Sequence, residues 1–139
     1  MRQHPIMVYS REGTRVLDQV AIHDFKIPGW TLMQMAGQAA FESLLSHWPQ
    51  VKHISVFCGT GNNGGDGYVL AKLAKLQGFS VTVYQVGDKS HISGDAKTAL
   101  LACEEANVTC QPWDDFVEVE GSCCCWWLKV YQLIFAFCK

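Results

Sequence analysis

The sequence predicts an α/β fold in which parallel strands alternate with helices. Residues 54–58 and 81–86 are short, mostly apolar runs, as expected of strands buried on both faces. A glycine-rich turn and a helical pattern lie between them, and another helical pattern leads to a third short strand that begins at residues 108–110. This order predicts a parallel sheet with right-handed crossovers.

Two helices are predicted before the first strand. Ser10 can cap the first, whose apolar positions recur at helical spacing: Val16, Leu17, Val20 and Ala21. Pro28 and Gly29 then separate the first helix from the second. In the second helix, Thr31 and Gln34 have the spacing of a capping box, and the helix carries the apolar or small residues Met33, Ala36, Gly37, Ala40, Phe41 and Leu44. Glycine costs about 1 kcal/mol against alanine inside a helix, so Gly37 predicts close packing against another backbone.

The two later helices are predicted from their apolar spacing and their ends. The helix after the glycine turn carries Val69, Leu70, Leu73 and Leu76 and is expected to end at Gly78. Ser93 can cap the last helix, whose apolar positions are Ala96, Ala99, Leu100 and Cys103. The helices and strands together account for one domain.

Composition excludes several classes of protein. The 139 residues are 49% hydrophobic and 17% charged with a net charge of -2, which fits a globular domain and offers no basic surface for nucleic acid. Cys58, Cys103 and Cys110 stand singly in apolar stretches, as reduced core thiols do. The consecutive cysteines at residues 123–125 suit neither disulfides nor a zinc site. No signal peptide is recognisable at the N-terminus, so we expect a cytoplasmic setting.

The turn at residues 58–67, CGTGNNGGDG, carries the strongest functional signal. It matches the dinucleotide pattern G-x-G-x-x-G, but Asn62 and Asn63 add amide groups, and Gly64 and Gly65 leave main chain bare for a ligand. Asp66 is expected in the first helical turn, where its carboxylate would repel a pyrophosphate. The pattern therefore favours a hydroxylated ring or a weakly hydrated cation.

Two alternative interpretations of this turn compete with a binding site of that kind. It can be a purely structural βα turn, since asparagine tolerates positive φ and aspartate favours helix N-termini. An NAD-dependent oxidoreductase would need a ribose-binding acid at the end of the 81–86 strand, where Gln85 and Val86 stand instead, and Asp88 comes too late. A phosphate-binding P-loop is excluded because no Lys-Ser/Thr pair closes the turn.

Residues 59–78, GTGNNGGDGYVLAKLAKLQG, resemble the signature of the YjeF N-terminal domain family, the NAD(P)H-hydrate epimerases. Residues 16–22, 27–40 and 93–100 are similar to other helices of that family, in the same order, and the likeness extends over about residues 9–120. The resemblance implies a Rossmann-like three-layer α/β/α sandwich. It also implies an isomerase for nicotinamide nucleotide repair, which interconverts the R and S epimers of NADHX and NADPHX.

The resemblance assigns roles within the turn. Asn62, Asn63, Gly64, Gly65 and Asp66 would contact the hydrated nucleotide, and Asn63 would also bind a potassium ion. The expected partners are this small-molecule substrate and, through a functional link, an NAD(P)H-hydrate dehydratase; neither nucleic acid nor a membrane is expected. Homodimer formation is left open.

The sequence departs from the family after its third strand. The family's acid/base aspartate, which also binds potassium, its Leu-Leu-Gly-Thr-Gly turn and its Asp-Ile-Pro-Ser-Gly element are all missing. No catalytic residue is therefore assigned. We expect an incomplete, C-terminally truncated family domain at residues 1–121, followed by a hydrophobic tail at 122–139 that is foreign to the family.

The tail has three competing interpretations. It can be a genuine segment that packs as a strand or helix, or a membrane anchor, although Lys129 and Gln132 interrupt a run that is too short to span. A reading-frame shift is favoured, because Cys and Trp codons read one base later give Val, Ala and Gly, as the family's strand and turn require. We expect no turnover from this chain, with a non-catalytic nucleotide-binding or protein-interaction module as the alternative.

Overall fold

The computed structural model describes residues 10–113 and 135–138. Within them the helices are α1 (Arg11–His23), α2 (Gly29–His47), α3 (Asn62–Leu76) and α4 (Gly94–Glu105). The strands are β1 (His53–Cys58), β2 (Ser80–Gln85), β3 (Thr109–Pro112) and β4 (Phe135–Cys138), and a 3-10 turn covers Lys89–His91. The predicted boundary between residues 121 and 122, and most of the predicted tail, lie outside these ranges.

The strands form one sheet in the order β3-β2-β1-β4. β1 pairs with β2 and β2 with β3 in parallel, which confirms the predicted parallel sheet of three strands. Among the described strands, β3 lies at one edge of the sheet. β4 comes from the predicted tail and pairs antiparallel with β1, with Ile54 opposite Cys138. The sheet is therefore mixed, a feature that the helix–strand order could not predict.

The hydrophobic core lies on the sheet face that α2, α3 and α4 cover. Alternate strand residues point into it, among them Ile54, Val56 and Val83, which are fully buried. The β1–α3–β2 and β2–α4–β3 crossovers run in the same direction along the sheet, so right-handedness places both helices on one face. The opposite face carries an aromatic cluster in which Phe57 stacks on Tyr84 with ring centroids 4.9 Å apart. The described residues thus supply the sheet and one helical layer.

Helices α3 and α4 end in the same way. After α3, Gly78 adopts φ 89°, Phe79 N–H donates to Ala74 O at 3.1 Å and Gly78 N–H donates to Lys75 O at 3.0 Å. These two bonds are those of a Schellman motif, which confirms Gly78 as the predicted stop. After α4, Asn107 takes the left-handed position with φ 57°, and Val108 N–H donates to Cys103 O at 3.3 Å.

The first two helices agree with the sequence only in part. Ser10 caps α1, since its Oγ accepts a hydrogen bond from Gly13 N–H at 3.1 Å. The apolar positions of α1 are not deeply buried, since Val16 is 56% and Leu17 48% exposed. The capping box in α2 is also wrong: Pro28 is the N-cap, so Thr31 already lies inside the helix.

Four of the six apolar or small residues named for α2 lie on its inward side, whereas Ala36 is exposed and Ala40 is half-buried. Met33, Gly37, Phe41 and Leu44 are buried. A Cβ atom on Gly37 would lie 2.5 Å from Val69 Cγ1 and 2.9 Å from Asp66 O, so the predicted close approach of two helix backbones is confirmed. In the described part of the chain, no helix has both the length and the apolar character needed to cross a membrane.

Candidate functional site

The glycine-rich turn connects the end of β1 to the start of α3. Cys58 ends the strand, Gly61 is the N-cap, and Gly65 N–H donates to Gly61 O at 3.2 Å. The first N–H groups of a helix have no acceptor within the helix, and Gly61 has no side chain that could cap them. The start of α3 therefore offers N–H donors and the positive end of the helix dipole to an anionic or hydroxylated ligand.

The turn lies at the carboxyl ends of β1 and β2. Val86 N–H donates to Cys58 O at 2.8 Å, and Cys58 is the register partner of Gln85. A Cβ atom on Gly87, in the next connection, would lie 3.5 Å from Thr60 Cγ2. Open α/β sheets bind their ligands at this edge, beyond the carboxyl ends of the strands.

Two of the predicted site glycines lie in close contact with other parts of the protein. A Cβ atom on Gly64 would collide with the carbonyl oxygen of Gly59, across the turn. A Cβ atom on Gly65 would lie 2.5 Å from Met33 Sδ and 3.1 Å from Ala96 Cα, at the junction of α2, α3 and α4. Protein atoms thus fill the space that their side chains would take, a role that the prediction of bare main chain for a ligand did not include.

The polar residues of the Asn-Asn-Gly-Gly-Asp element all lie at the start of α3. Asn62 is exposed, whereas Asn63 and Asp66 are half-buried. Asn62 and Asp66 are four residues apart and share one face of the helix. Asp66 is the fifth residue of α3, so the expectation that it lies in the first helical turn is wrong; α3 begins at Asn62 and absorbs the whole Asn-Asn-Gly-Gly-Asp element.

The Asp66 carboxyl group has an unusual affinity for protons. Burial, and secondarily the negative charge of Asp18 on α1, raise its pKa from 3.8 to about 7. At neutral pH a large fraction of this group is uncharged, which weakens the argument that it repels a pyrophosphate. Sequence patterns do not single out Asp18, because helical periodicity does not reveal which residue of α1 faces α3.

The described residues do not form a complete cation site. Among residues 10–113 and 135–138, no three His, Cys, Asp or Glu side chains are grouped to hold a metal ion. Two carbonyl oxygens at the turn already accept hydrogen bonds: Cys58 O from Val86 and Gly61 O from Gly65. Hard cations need several oxygen ligands, so the start of α3 can supply only part of a potassium shell.

Two buried polar atoms near the site have no counterpart among the predicted site residues. Within the described ranges, Tyr68 Oη on α3 and Gln85 Oε1 at the end of β2 are buried without a hydrogen-bond partner. The Gln85 amide nitrogen donates to Val86 O at 3.1 Å, which fixes the orientation of the amide group. The sequence pattern places such residues on the buried side of a helix or strand. It does not show whether their polar atoms have hydrogen-bond partners.

Comparison with known proteins gives one consistent family. The sequence model of one protein family, described as YjeF-related protein N-terminus, matches residues 29–123, more than half of the chain. The chain is 42% identical over 115 residues to the bifunctional NAD(P)H-hydrate repair enzyme Nnr of Coxiella burnetii, covering 83% of this chain and 23% of that protein. It is 48% identical over 71 residues to the NAD(P)H-hydrate epimerase of Legionella pneumophila strain Corby, covering 51% of this chain and 26% of that protein.

A more distant relative and a solved structure extend the likeness. The NAD(P)H-hydrate epimerase of Rhodobacter capsulatus is 34% identical over 97 residues, which cover 65% of this chain and 46% of that protein. The crystal structure of yeast ynu0, YNL200c, superposes with a TM-score of 0.65 at 23% identity, covering 76% of this chain and 46% of that one. This chain therefore spans less than half the length of each of these relatives, and the yeast structure supports the fold alone. The match of the family model shows that the chain belongs to the YjeF-related protein N-terminus family.

Proposed function

We propose that the chain carries the substrate-binding turn of an NAD(P)H-hydrate epimerase, an isomerase that acts on NADHX and NADPHX. The observation that carries this proposal is the start of α3: an N-terminus without a side-chain cap, bearing Asn62, Asn63 and Asp66 at the carboxyl end of β1. The names of the Legionella and Rhodobacter relatives support the reaction and its substrate.

The residues of the turn divide the work of binding. Helix N–H groups suit the phosphates of the nucleotide, and the amide groups of Asn62 and Asn63 suit the hydroxyl group that hydration adds to the nicotinamide ring. Asp66, with a pKa of about 7, can either donate or accept a hydrogen bond at neutral pH. Gly64 and Gly65 support this arrangement by letting α3 approach Gly59 and Met33.

Potassium is part of the proposal only through Asn63. Its amide oxygen is an appropriate ligand for a hard monovalent cation, and it lies half-buried beside the proposed substrate contacts. The described residues leave most of the coordination shell to be supplied from elsewhere. No catalytic step is assigned to the ion.

For the 139-residue chain alone, we expect substrate binding without turnover. The resemblance implies that the family's acid/base aspartate is missing from this sequence, and no described residue is assigned its role. The alternative function, a non-catalytic nucleotide-binding or protein-interaction module, predicts the same lack of turnover. Binding of the hydrated nucleotide through Asn62 would favour the nucleotide-binding functions over a module that only docks proteins.

The cellular setting and the partners complete the proposal. A cytoplasmic location is supported by free thiols at Cys58, Cys103 and Cys110. A functional link to a dehydratase is supported by the bifunctional repair enzyme of Coxiella burnetii. Homodimer formation is a prediction that analytical sedimentation of the purified protein would test.

Titration calorimetry with purified NADHX tests the proposal. We expect saturable binding by the wild-type chain, weaker binding by Asn62→Ala, and unchanged binding by the matched control Gln77→Ala. Gln77 is an exposed amide residue just beyond the opposite end of α3, so its removal leaves the turn intact. Equal affinity of the Asn62→Ala and wild-type proteins would contradict the assignment of the site.

A further inference from the structure

The end of β2 carries a buried amide oxygen without a hydrogen-bond donor. Gln85 is the last residue of β2 and is only 7% exposed. Its Oε1 atom is enclosed by the protein and, within the described residues, accepts no hydrogen bond. A buried acceptor without a donor is unfavourable, so a ligand that supplies the donor would gain binding energy at this atom.

The orientation of the Gln85 amide group is fixed by its one hydrogen bond. The Nε2 atom donates to Val86 O at 3.1 Å. Exchanging the amide nitrogen and oxygen would set an oxygen against that carbonyl oxygen, and two acceptors repel each other. Because Val86 is the first residue beyond β2, the same bond holds the amide group at the carboxyl end of the strand.

Gln85 lies on the helical face of the sheet, beside the start of α3. Side chains alternate along a strand, so Gln85 shares a face with Val83, which belongs to the core under the helices. Its register partner on β1 is Cys58, and only residues 59–61 separate Cys58 from the first residue of α3. The unpaired oxygen therefore lies at the same edge and on the same face as the N-terminus of α3, which has no side-chain cap.

A ligand can reach this oxygen through the connection that follows β2. The Gln85 amide contacts the connection directly through its bond to Val86 O. Residues 86–91 of the connection are all exposed, and Gly87 has a left-handed φ of 87°. An exposed segment with few buried contacts opens at low cost, so a small displacement here would admit a donor group.

We propose that Gln85 is a specificity-determining residue of the nucleotide site, whose Oε1 atom accepts a hydrogen bond from an uncharged donor on the hydrated nicotinamide ring. This inference rests on the proposed function, which places that ring at the turn. Phosphate oxygens are negatively charged acceptors, so Oε1 repels them while the N–H groups of α3 attract them. Gln85 thus distinguishes the ring of the ligand from its phosphates. The ring offers two such donors, the carboxamide N–H and the hydroxyl group that hydration adds.

Titration calorimetry with three ligands tests this role and identifies the donor. NADHX carries both donors, NADH lacks the added hydroxyl group, and the acetylpyridine analogue of NADHX lacks the carboxamide N–H. Gln85→Met keeps the length of the side chain and removes the acceptor, so it should bind NADHX roughly two- to tenfold more weakly than wild type. The ligand that lacks the relevant donor should bind equally to both proteins.

A matched variant and a stability measurement separate this role from a structural one. Gln111 is a half-buried glutamine on β3 that pairs with Tyr84, on the other face of the sheet, so Gln111→Met should leave NADHX binding unchanged. The melting temperature of ligand-free Gln85→Met should equal or exceed that of wild type, because an unpaired buried acceptor has been removed. A purely structural role would instead couple weaker binding to lower stability.

The outcomes distinguish this inference from the proposed function. If wild type binds NADHX through Asn62 and Gln85→Met binds it as tightly, or weakens all three ligands equally, the role of Gln85 is wrong and the proposed function stands. If wild type does not bind NADHX, both are wrong. Should Gln85→Met fail to fold, nuclear magnetic resonance of the isotope-labelled wild-type chain decides. The side-chain amide signals of Gln85, and not those of Gln111, should shift with NADHX, and unmoved Gln85 signals would overturn the assignment.

Discussion

Replacing Asp66 by asparagine should make the free energy of unfolding of the protein less dependent on pH. In the folded chain the pKa of Asp66 is raised from 3.8 to about 7, chiefly by burial and then by the charge of Asp18. The folded state therefore holds this proton more tightly than the unfolded state. The resulting stability is fully present below pH 3.8 and is lost as the pH rises to about 7.

The size of the effect follows from the two pKa values. The two pKa values differ by about three. A difference of one in pKa corresponds to about 1.4 kcal/mol, so the whole difference corresponds to roughly 4 kcal/mol. Asp66 is only half-buried, and solvent screening reduces such charge effects, so about 2 kcal/mol is the expected loss for the wild-type protein. The Asp66→Asn variant has no charge to bury at this position and would escape this loss.

Urea unfolding at a series of pH values between about 4 and 8 measures the prediction, since this range spans the shifted pKa. The free energy of unfolding of Asp66→Asn, minus that of the wild-type protein at the same pH, should increase across this range. Asp18→Asn is the matched control and should reproduce only a minor part of the change, because burial is the larger cause. A difference between Asp66→Asn and wild type that does not vary with pH would refute the reasoning.

Two further predictions concern packing around α3. Gly64→Ala should destabilise the protein more than Gly65→Ala, with overpacking costs of about 1–3 kcal/mol, because the new methyl group meets backbone at Gly64 and mainly a flexible methionine end at Gly65. Gly59→Ala is the control, because a Cβ atom there meets nothing within 4 Å. If urea unfolding showed the Gly59 variant to be the least stable of the three, this account of the packing would be contradicted. Tyr68→Phe should leave thermal stability unchanged or raise it by about 1 kcal/mol, because the phenol oxygen is buried without a partner; a clear loss in calorimetry would show that the hydroxyl group is satisfied in solution.

The features best predicted from the sequence are those that arise locally or from strand order. Apolar periodicity and turn residues are sufficient for the parallel sheet and for Gly78 as the end of α3. The predicted contact at Gly37 also holds, since a glycine inside a helix is unfavourable unless a close neighbour leaves no room for a side chain. These features depend on backbone geometry that single residues reveal.

The remaining differences depend on tertiary contacts that periodicity does not specify. The apolar side of α1 is exposed at Val16 and Leu17, because amphipathicity identifies a face and not a partner for it. The electrostatic repulsion between Asp18 and Asp66 acts between two helices that are far apart in sequence. The pattern in residues 62–66 also placed the start of α3 too late, since the helix already begins at Asn62.

Pairing on both sides of β1 limits how the sheet can grow. Hydrogen bonds to β2 on one side and to Phe135–Cys138 on the other occupy this central strand. A new strand supplied by any other polypeptide could join beside β1 only by displacing those four residues. Otherwise it would have to add at one of the two outermost of the described strands, β3 or β4.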